Sequence, residues 1–365
     1  MNQIVANDLD YIIKNIEKEI KKLEGANILV TGGGGFIGYY LIQSLLKLNL
    51  EIDNPIKIVL LDNFLYGIPN WLMEYKNDKN LEIINYDVTK SFEIDNNEIN
   101  YVIHAASIAS PTYYRKFPIE TIKANVFGLF NLLEYFTQTK KLSDLKGFVF
   151  FSSSEVYGDP TEDKIPTLED YNGNVSFTGP RACYDESKRF GETLAANYAK
   201  EIGFPIKSAR PFNNYGPGLR ISDKRIVPDL ASNILDNENI VLYSNGDPTR
   251  TFCYIADAVV GFLKVLLNGI NGEAYNIGMD YPEISMSQLA HLFRQSAIEL
   301  FGYKGEIVFK NSIDPNYLTN NPNRRCPDIT KARRELGFEP KIKLAEGIKR
   351  TLLWYNYQKE MGIEL

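Results

Sequence analysis

Asn27-Ile28-Leu29-Val30-Thr31-Gly32-Gly33-Gly34-Gly35-Phe36-Ile37-Gly38 is the stretch on which the fold turns. It opens as a short apolar run, the pattern of a buried strand, and passes straight into glycines spaced G-x-x-G-x-x-G. Residues 36–48 then read as a helix. Gly32 permits the tight turn, Gly35 lets a pyrophosphate approach the backbone, and Gly38 lets helix pack close on strand. The helix N-terminus favours the negative charge. A glycine pattern alone is a weak signal; held between a strand and a helix it predicts a dinucleotide site. Gly32, Gly35, Phe36, Ile37 and Gly38 are the expected cofactor contacts.

Working outward, a second apolar run at 57–61 ends in Asp62 and Asn63. A carboxylate there hydrogen-bonds both ribose hydroxyls and repels a 2′-phosphate, so NAD is favoured over NADP. Asp87 and Val88 follow the run 81–86 and are placed to meet the adenine; Asp87 fits a strand-end turn equally well. Runs at 101–105, 148–152 and 206–210 continue the series, with helical patterns around 119–135 and 186–201. Alternation of this kind calls for an α/β protein with a Rossmann-type doubly wound parallel sheet.

That NAD-binding domain spans 26–210. Beyond it the pattern loosens, with turns at 214–218 and 245–248, and 211–365 reads mainly as a smaller C-terminal α/β substrate-binding lobe that returns some segments to the first domain. Residues 1–25 hold an amphipathic helix over 7–24, capped by Asn7 or Asp8, that packs on the body or on a second subunit.

Composition narrows the function. The 365 residues are 44% hydrophobic and 24% charged, with a net charge of −6 and both signs mixed along the chain. No nucleic-acid surface or basic membrane patch is expected from that balance. No apolar run approaches a membrane span, and charge stands where a secretory signal would be apolar. Cys183, Cys253 and Cys326 are odd in number and scattered, as free thiols in a reducing, cytoplasmic setting would be. With only His104 and His291, histidine base catalysis and a metal site have little material, so no metal is expected.

Tyr184 and Lys188 stand four apart on a helical pattern, hence on one face. A phenol with its ordinary pKa near ~10 is a poor base at neutral pH. A neighbouring ammonium and a positive nicotinamide stabilise the phenolate, which then takes a proton from a sugar hydroxyl. Ser152-Ser153-Ser154-Glu155 emerges from the apolar run at 148–152, where open α/β sheets bind ligands.

Together these features resemble the extended short-chain dehydrogenase/reductase superfamily, also described as NAD-dependent epimerases and dehydratases. Within it the nearest resemblance is to UDP-glucuronate decarboxylases, or UDP-xylose synthases. It runs from about Asn27 to the C-terminal helix. Residues 153–160, 179–186, 209–217 and 324–329 carry it; Gly179-Pro180-Arg181-Ala182-Cys183-Tyr184-Asp185-Glu186 is the most specific.

The resemblance implies a nucleotide-sugar substrate, most simply a UDP-sugar, and assigns roles. Tyr184 is the base; Lys188 binds the nicotinamide ribose and lowers the tyrosine pKa. Ser153 holds the C4 hydroxyl, while Ser154 and Glu155 face the C5 substituent with Arg325. Tyr114 and Asn213 line the sugar pocket, and Arg250 grips the diphosphate. Without the resemblance, Arg325 beside Arg324 fits a solvated charge pair, Tyr114 a core residue and Asn213 a turn. Relatives pair through helices corresponding to 119–135 and 186–201, so a homodimer is implied, with Phe127, Leu129, Phe130, Leu132 and Leu133 offering apolar surface, some of which a monomer core would need too.

The implied reaction is oxidation at C4, loss of the C6 carboxylate and re-reduction to a UDP-pentose. Three alternatives share its first half. A 4,6-dehydratase carries an Asp where Ser154 stands, a 4-epimerase usually has small apolar residues in place of Ser154 and Glu155, and a ketoreductase normally prefers NADPH. A non-enzymatic NAD-binding scaffold would lack part of the Ser153, Tyr184 and Lys188 set. This chain departs from the decarboxylase pattern at Gly218, where arginine is common and Arg220 follows two places on, and at Ser153, where the second position of the cluster is commonly threonine.

Overall fold

The computed structural model describes residues 2–92, 98–139, 141–311 and 319–363. Its centre is a sheet of seven parallel strands: β1 Asn27–Thr31, β2 Lys57–Asp62, β3 Leu81–Asn85, β4 Tyr101–His104, β5 Gly147–Phe151, β6 Ile206–Pro211 and β7 Ala274–Ile277. Their spatial order is β7-β6-β5-β4-β1-β2-β3. Every residue of β4 and β5 is buried, as a sheet covered on both faces requires. Alternate residues serve opposite faces: Ile28 and Val30 join one apolar cluster, Leu29 the other. The first cluster takes in the helices α2 Phe36–Leu48 and α5 Ile255–Asn268; the second takes in α3 Gly128–Gln138 and part of α4 Ala182–Ile202. Strand order reverses beside β1, between β2 on one side and β4 on the other, and ligands of open α/β sheets bind at such a point.

The seventh strand comes from the second half of the chain and pairs with β6. The remaining second-half segments build a small lobe in which Thr249–Arg250 lies between Ile284–Ser285 and Arg324–Arg325. Among the described residues no helix is long and apolar enough to cross a membrane.

The N-terminal segment differs from expectation. Helix α1 spans Gln3–Asn15, a separate short helix covers Ile20–Leu23, and Asn2 supplies the cap by accepting from the Ile4 N–H at 2.8 Å. Asp8 does not cap. It is fully buried and accepts hydrogen bonds from Tyr40 (2.7 Å), Tyr254 (2.6 Å) and Arg350 (2.5 Å). A buried carboxylate needs such partners, and these pin α1 to the body of the fold.

The apolar stretch proposed as dimer surface is also divided. Leu129, Leu132 and Leu133 are wholly buried in the core, whereas Phe127 and Phe130 are exposed. Helical periodicity sends one stripe inward and leaves the next outside.

Candidate active site

Strand β5 ends at Phe151, and the chain turns at Ser153 into a short 3-10 turn, Ser154–Tyr157. The Ser153 hydroxyl accepts from the Glu155 N–H at 3.2 Å, and Ser153 stands close enough to the Tyr184 phenol to favour its ionised form. Tyr184 and Lys188 project from the first turns of α4, both buried, with the Lys188 Nζ 5.7 Å from the tyrosine ring centroid. That ammonium donates to the Phe151 carbonyl at 2.7 Å, which fixes it beneath the end of β5. Tyr114 stacks on Tyr184, its centroid 4.9 Å away and its plane 14° from parallel. The expected Ser153, Tyr184 and Lys188 set is therefore assembled in one place.

The surroundings of Tyr184 set its ionisation. Burial pushes its phenol up to about 12, despite Ser153 and the nearby Arg225. Burial likewise pushes Lys188 down to about 7. Desolvation opposes charge on both groups in this dry pocket, and a positive nicotinamide beside the phenol would favour its ionised form.

Glu155 behaves in the opposite way. Burial alone would raise its carboxyl, but Arg181 and Arg325 outweigh that and hold it well below the usual carboxylate range. Arg325 grips it with both terminal nitrogens, Nη2 at 2.7 Å, and Arg181 Nη2 approaches to 2.5 Å. Arg325 is thus buried and not half of a solvated pair; its neighbour Arg324 binds Glu283 instead, at 2.7 Å. Arg250 lies opposite Arg325 in register, and its guanidinium donates to the carbonyls of Thr249 (2.7 Å), Pro322 (2.5 Å) and Asn323 (3.1 Å). Burial and the Arg325 charge bring its pKa down to about 9. Ser154 is buried beside Glu155. Asn213 takes a positive φ of 41° and donates to the Thr251 carbonyl at 2.9 Å.

The glycine loop fits a dinucleotide. A Cβ on Gly38 would lie 2.2 Å from the Gly33 carbonyl oxygen, so only glycine lets α2 start this close to β1. Gly35 stands at the N-cap of α2, ahead of Phe36 and Ile37, and Gly32 continues the ladder by donating to the Leu61 carbonyl at 2.8 Å. Asp62 accepts from the N–H groups of Gly34 (2.9 Å) and Phe64 (2.8 Å), leaving lone pairs on both oxygens for ribose hydroxyls. Asn63 is exposed and accepts from the Leu65 N–H at 3.1 Å. Asp87 makes a turn by accepting from the Thr89 N–H at 2.9 Å, and Val88 is buried against Gly128.

Sequence reasoning gave no role to three residues that the fold brings here. Arg181 reaches Glu155; Arg225 comes from the second lobe over the Phe36 ring, 5.8 Å from its centroid. Asn125 is buried in a π-helical turn, Lys123–Phe127, and donates to Ser187 on α4 at 2.8 Å. The π-turn was a detectable signal only in space, since such bulges often sit at functional sites. The departure at Gly218 also has a physical reason. With φ of +89° and a Cβ position 2.6 Å from the Tyr39 ring, it has no room for a side chain. Arg220 stands 4.9 Å over the Tyr66 ring instead.

A model of the NAD dependent epimerase/dehydratase family matches residues 28–278. The chain belongs to this family. NAD is accordingly its cofactor. UDP-glucuronic acid decarboxylase 1 of Xenopus tropicalis is 36% identical over 343 residues, covering 94% of this chain and 75% of that protein. UDP-glucuronic acid decarboxylase 6 of Arabidopsis thaliana is 34% identical over 339 residues, covering 92% and 90%. Among solved structures, UDP-glucose 4-epimerase of Thermotoga maritima with UDP-glucose superposes with a TM-score of 0.75 at 26% identity, over 91% of this chain and 99% of that one. The epimerase/dehydratase fold thus covers nearly the whole molecule.

Proposed function

We propose that the protein oxidises UDP-glucuronate at C4, removes the C6 carboxylate as CO2 and releases a UDP-pentose. The observation that carries this reading is the Glu155 carboxylate held between Arg181 and Arg325, beside the Ser153 and Tyr184 pair. A site for a neutral sugar has no use for paired guanidiniums at C5. The near-full-length similarity to two UDP-glucuronic acid decarboxylases supports the same substrate.

Bound NAD supplies the two-electron acceptor for C4, a positive charge beside the phenol, and the electrons that complete the pentose. The chain does the rest. Tyr184 takes the C4 hydroxyl proton, and Ser153 orients that oxygen by hydrogen bonding to both. Once C4 is a ketone, the C6 carboxylate is β to it, and the C5–C6 electron pair flows into an enolate held by the Tyr184 and Ser153 hydroxyls. Ser154 and Glu155 face the carboxylate, with Arg325 closing from the second lobe. Lys188 holds the nicotinamide ribose, and Tyr114 and Asn213 line the sugar. Arg250 reaches the diphosphate by exchanging carbonyl partners for phosphate oxygens.

Incubation with UDP-glucuronate and NAD, followed by mass spectrometry, tests this: a UDP-pentose is expected. An unchanged mass would overturn it, and NMR of the same sample would then separate a 4-epimer from unreacted substrate.

The protein works as a homodimer in the cytoplasm. Ile119, Phe127, Phe130 and Phe190 leave an exposed apolar strip on neighbouring helices, which a second copy would cover. Its three cysteines are free thiols, which suits a reducing compartment.

A further inference from the structure

Arg181 occupies the N-cap position of α4, three residues before Tyr184, and only 7% of its surface is exposed. Its side chain touches both halves of the site. One terminal nitrogen lies 2.5 Å from the Glu155 carboxylate, and the guanidinium sits 5.8 Å from the centroid of Tyr114, the ring stacked on Tyr184. Its Nε stands 3.9 Å from Asp185, one turn along the same helix.

Several polar atoms of this cluster are buried without a hydrogen-bond partner: Arg181 Nε, Arg325 Nε, Asp185 Oδ1 and the Tyr114 hydroxyl. So many orphans in one place are costly unless a ligand or mechanism uses them. Burial and the Glu155 charge push the Asp185 carboxyl up, so Glu155 is the acid that the two guanidiniums hold most firmly.

We propose that Arg181 is the positioning residue for carbon–carbon cleavage: with Arg325 it holds the Glu155 carboxylate aimed at the substrate's C6 carboxylate. The proposal rests on the decarboxylase reading above. In the cleavage step the C5–C6 bond breaks, its electron pair passes into the 4-ketone to form an enolate, and CO2 leaves uncharged. Negative charge therefore moves from C6 to the C4 oxygen. An anion fixed beside C6 raises the starting state more than the transition state, and favours departure. Oxidation at C4 precedes this movement and uses Tyr184, Ser153 and Lys188, none of which binds Arg181 through its side chain. The two steps thus rest on different groups: Arg181, Arg325 and Glu155 for cleavage, and Tyr184, Ser153 and Lys188 for oxidation.

The test is single-turnover kinetics of R181K and R181M at saturating UDP-glucuronate with bound NAD. NADH absorbance reports oxidation, and mass spectrometry of the nucleotide sugar reports CO2 loss. In R181M, CO2 loss is expected to slow roughly 10- to 100-fold more than NADH formation does, so that NADH and a 4-keto hexuronate accumulate. R181K retains the charge and recovers part of the loss. Equal slowing of both steps would mark Arg181 as a structural ion pair and overturn the proposal, and so would no change in either. If R181M does not fold, R181K alone decides, because it must still show CO2 loss lagging NADH formation. Absence of pentose from the wild-type protein would sink the substrate reading itself, a result distinguishable from any failure confined to the variants.

Discussion

The ring of Tyr114 lies flat against that of Tyr184, although 70 residues separate them in sequence. The stack fixes the phenol where Ser153 can hydrogen-bond it, and stacked aromatic pairs contribute about 0.5–1.5 kcal/mol beyond simple burial. Tyr184→Phe removes the base and is expected to slow C4 oxidation roughly 100- to 10,000-fold, read as NADH formation in one turnover. Tyr114→Phe keeps the stack and much of that rate. Tyr114→Ala frees the phenol to swing, and should fall between the two.

Arg325 and Glu155 join the two lobes through a buried pair. Arg325→Met leaves Glu155 with a single guanidinium in a dry setting, and breaking such a pair costs about 3–5 kcal/mol. Denaturant unfolding of the NAD-free protein measures this. A loss below about 1 kcal/mol would mean that solvent reaches the pair, as for surface ion pairs.

Lys188 makes stability depend on pH. Its folded value near 7 lies below the ordinary 10.5, so between those values the unfolded chain holds a proton that the folded chain does not. Stability then rises with pH across that window, and the full penalty applies below it. The melting temperature of the NAD-free wild type should climb relative to Lys188→Met as pH goes from 7 towards 10.5. Parallel curves for the two proteins would show that the ammonium is not desolvated.

Asp8 tests whether α1 belongs to the fold. Asp8→Ala strands the hydroxyls of Tyr40 and Tyr254 in the core, at about 1–3 kcal/mol each. Thermal melting should register that loss, while the rate per folded molecule stays near wild type, because no contact of Asp8 reaches Tyr184 or Glu155. A selective loss of turnover at unchanged stability would contradict this.

The dinucleotide half of the molecule was legible because its signals are local. Buried parallel strands must be short apolar runs, and a strand-to-helix turn over a pyrophosphate must be glycine-rich whatever lies around it. Tyr184 and Lys188 were legible for the same reason, since helical spacing alone puts them on one face. Asp8 was misread as a cap because an acid near a helix start usually is one; nothing local revealed that Tyr40, Tyr254 and Arg350 surround it. The leucines at 129, 132 and 133 went to the core for a similar reason, as apolarity does not say which neighbour will cover it.

What the sequence determined by itself, then, was the α/β fold, the NAD cofactor and the placing of Tyr184 and Lys188 on one helix face, each written in residues only a few positions apart. Tertiary structure alone decided the charges. Arg325 meets Glu155 from 170 residues away, Arg181 closes on the same carboxylate, and burial drives Tyr184 and Lys188 away from their ordinary ionisation. Ionisation depends on desolvation and on charges within a few ångströms, and distances of that kind exist only after distant segments have packed together.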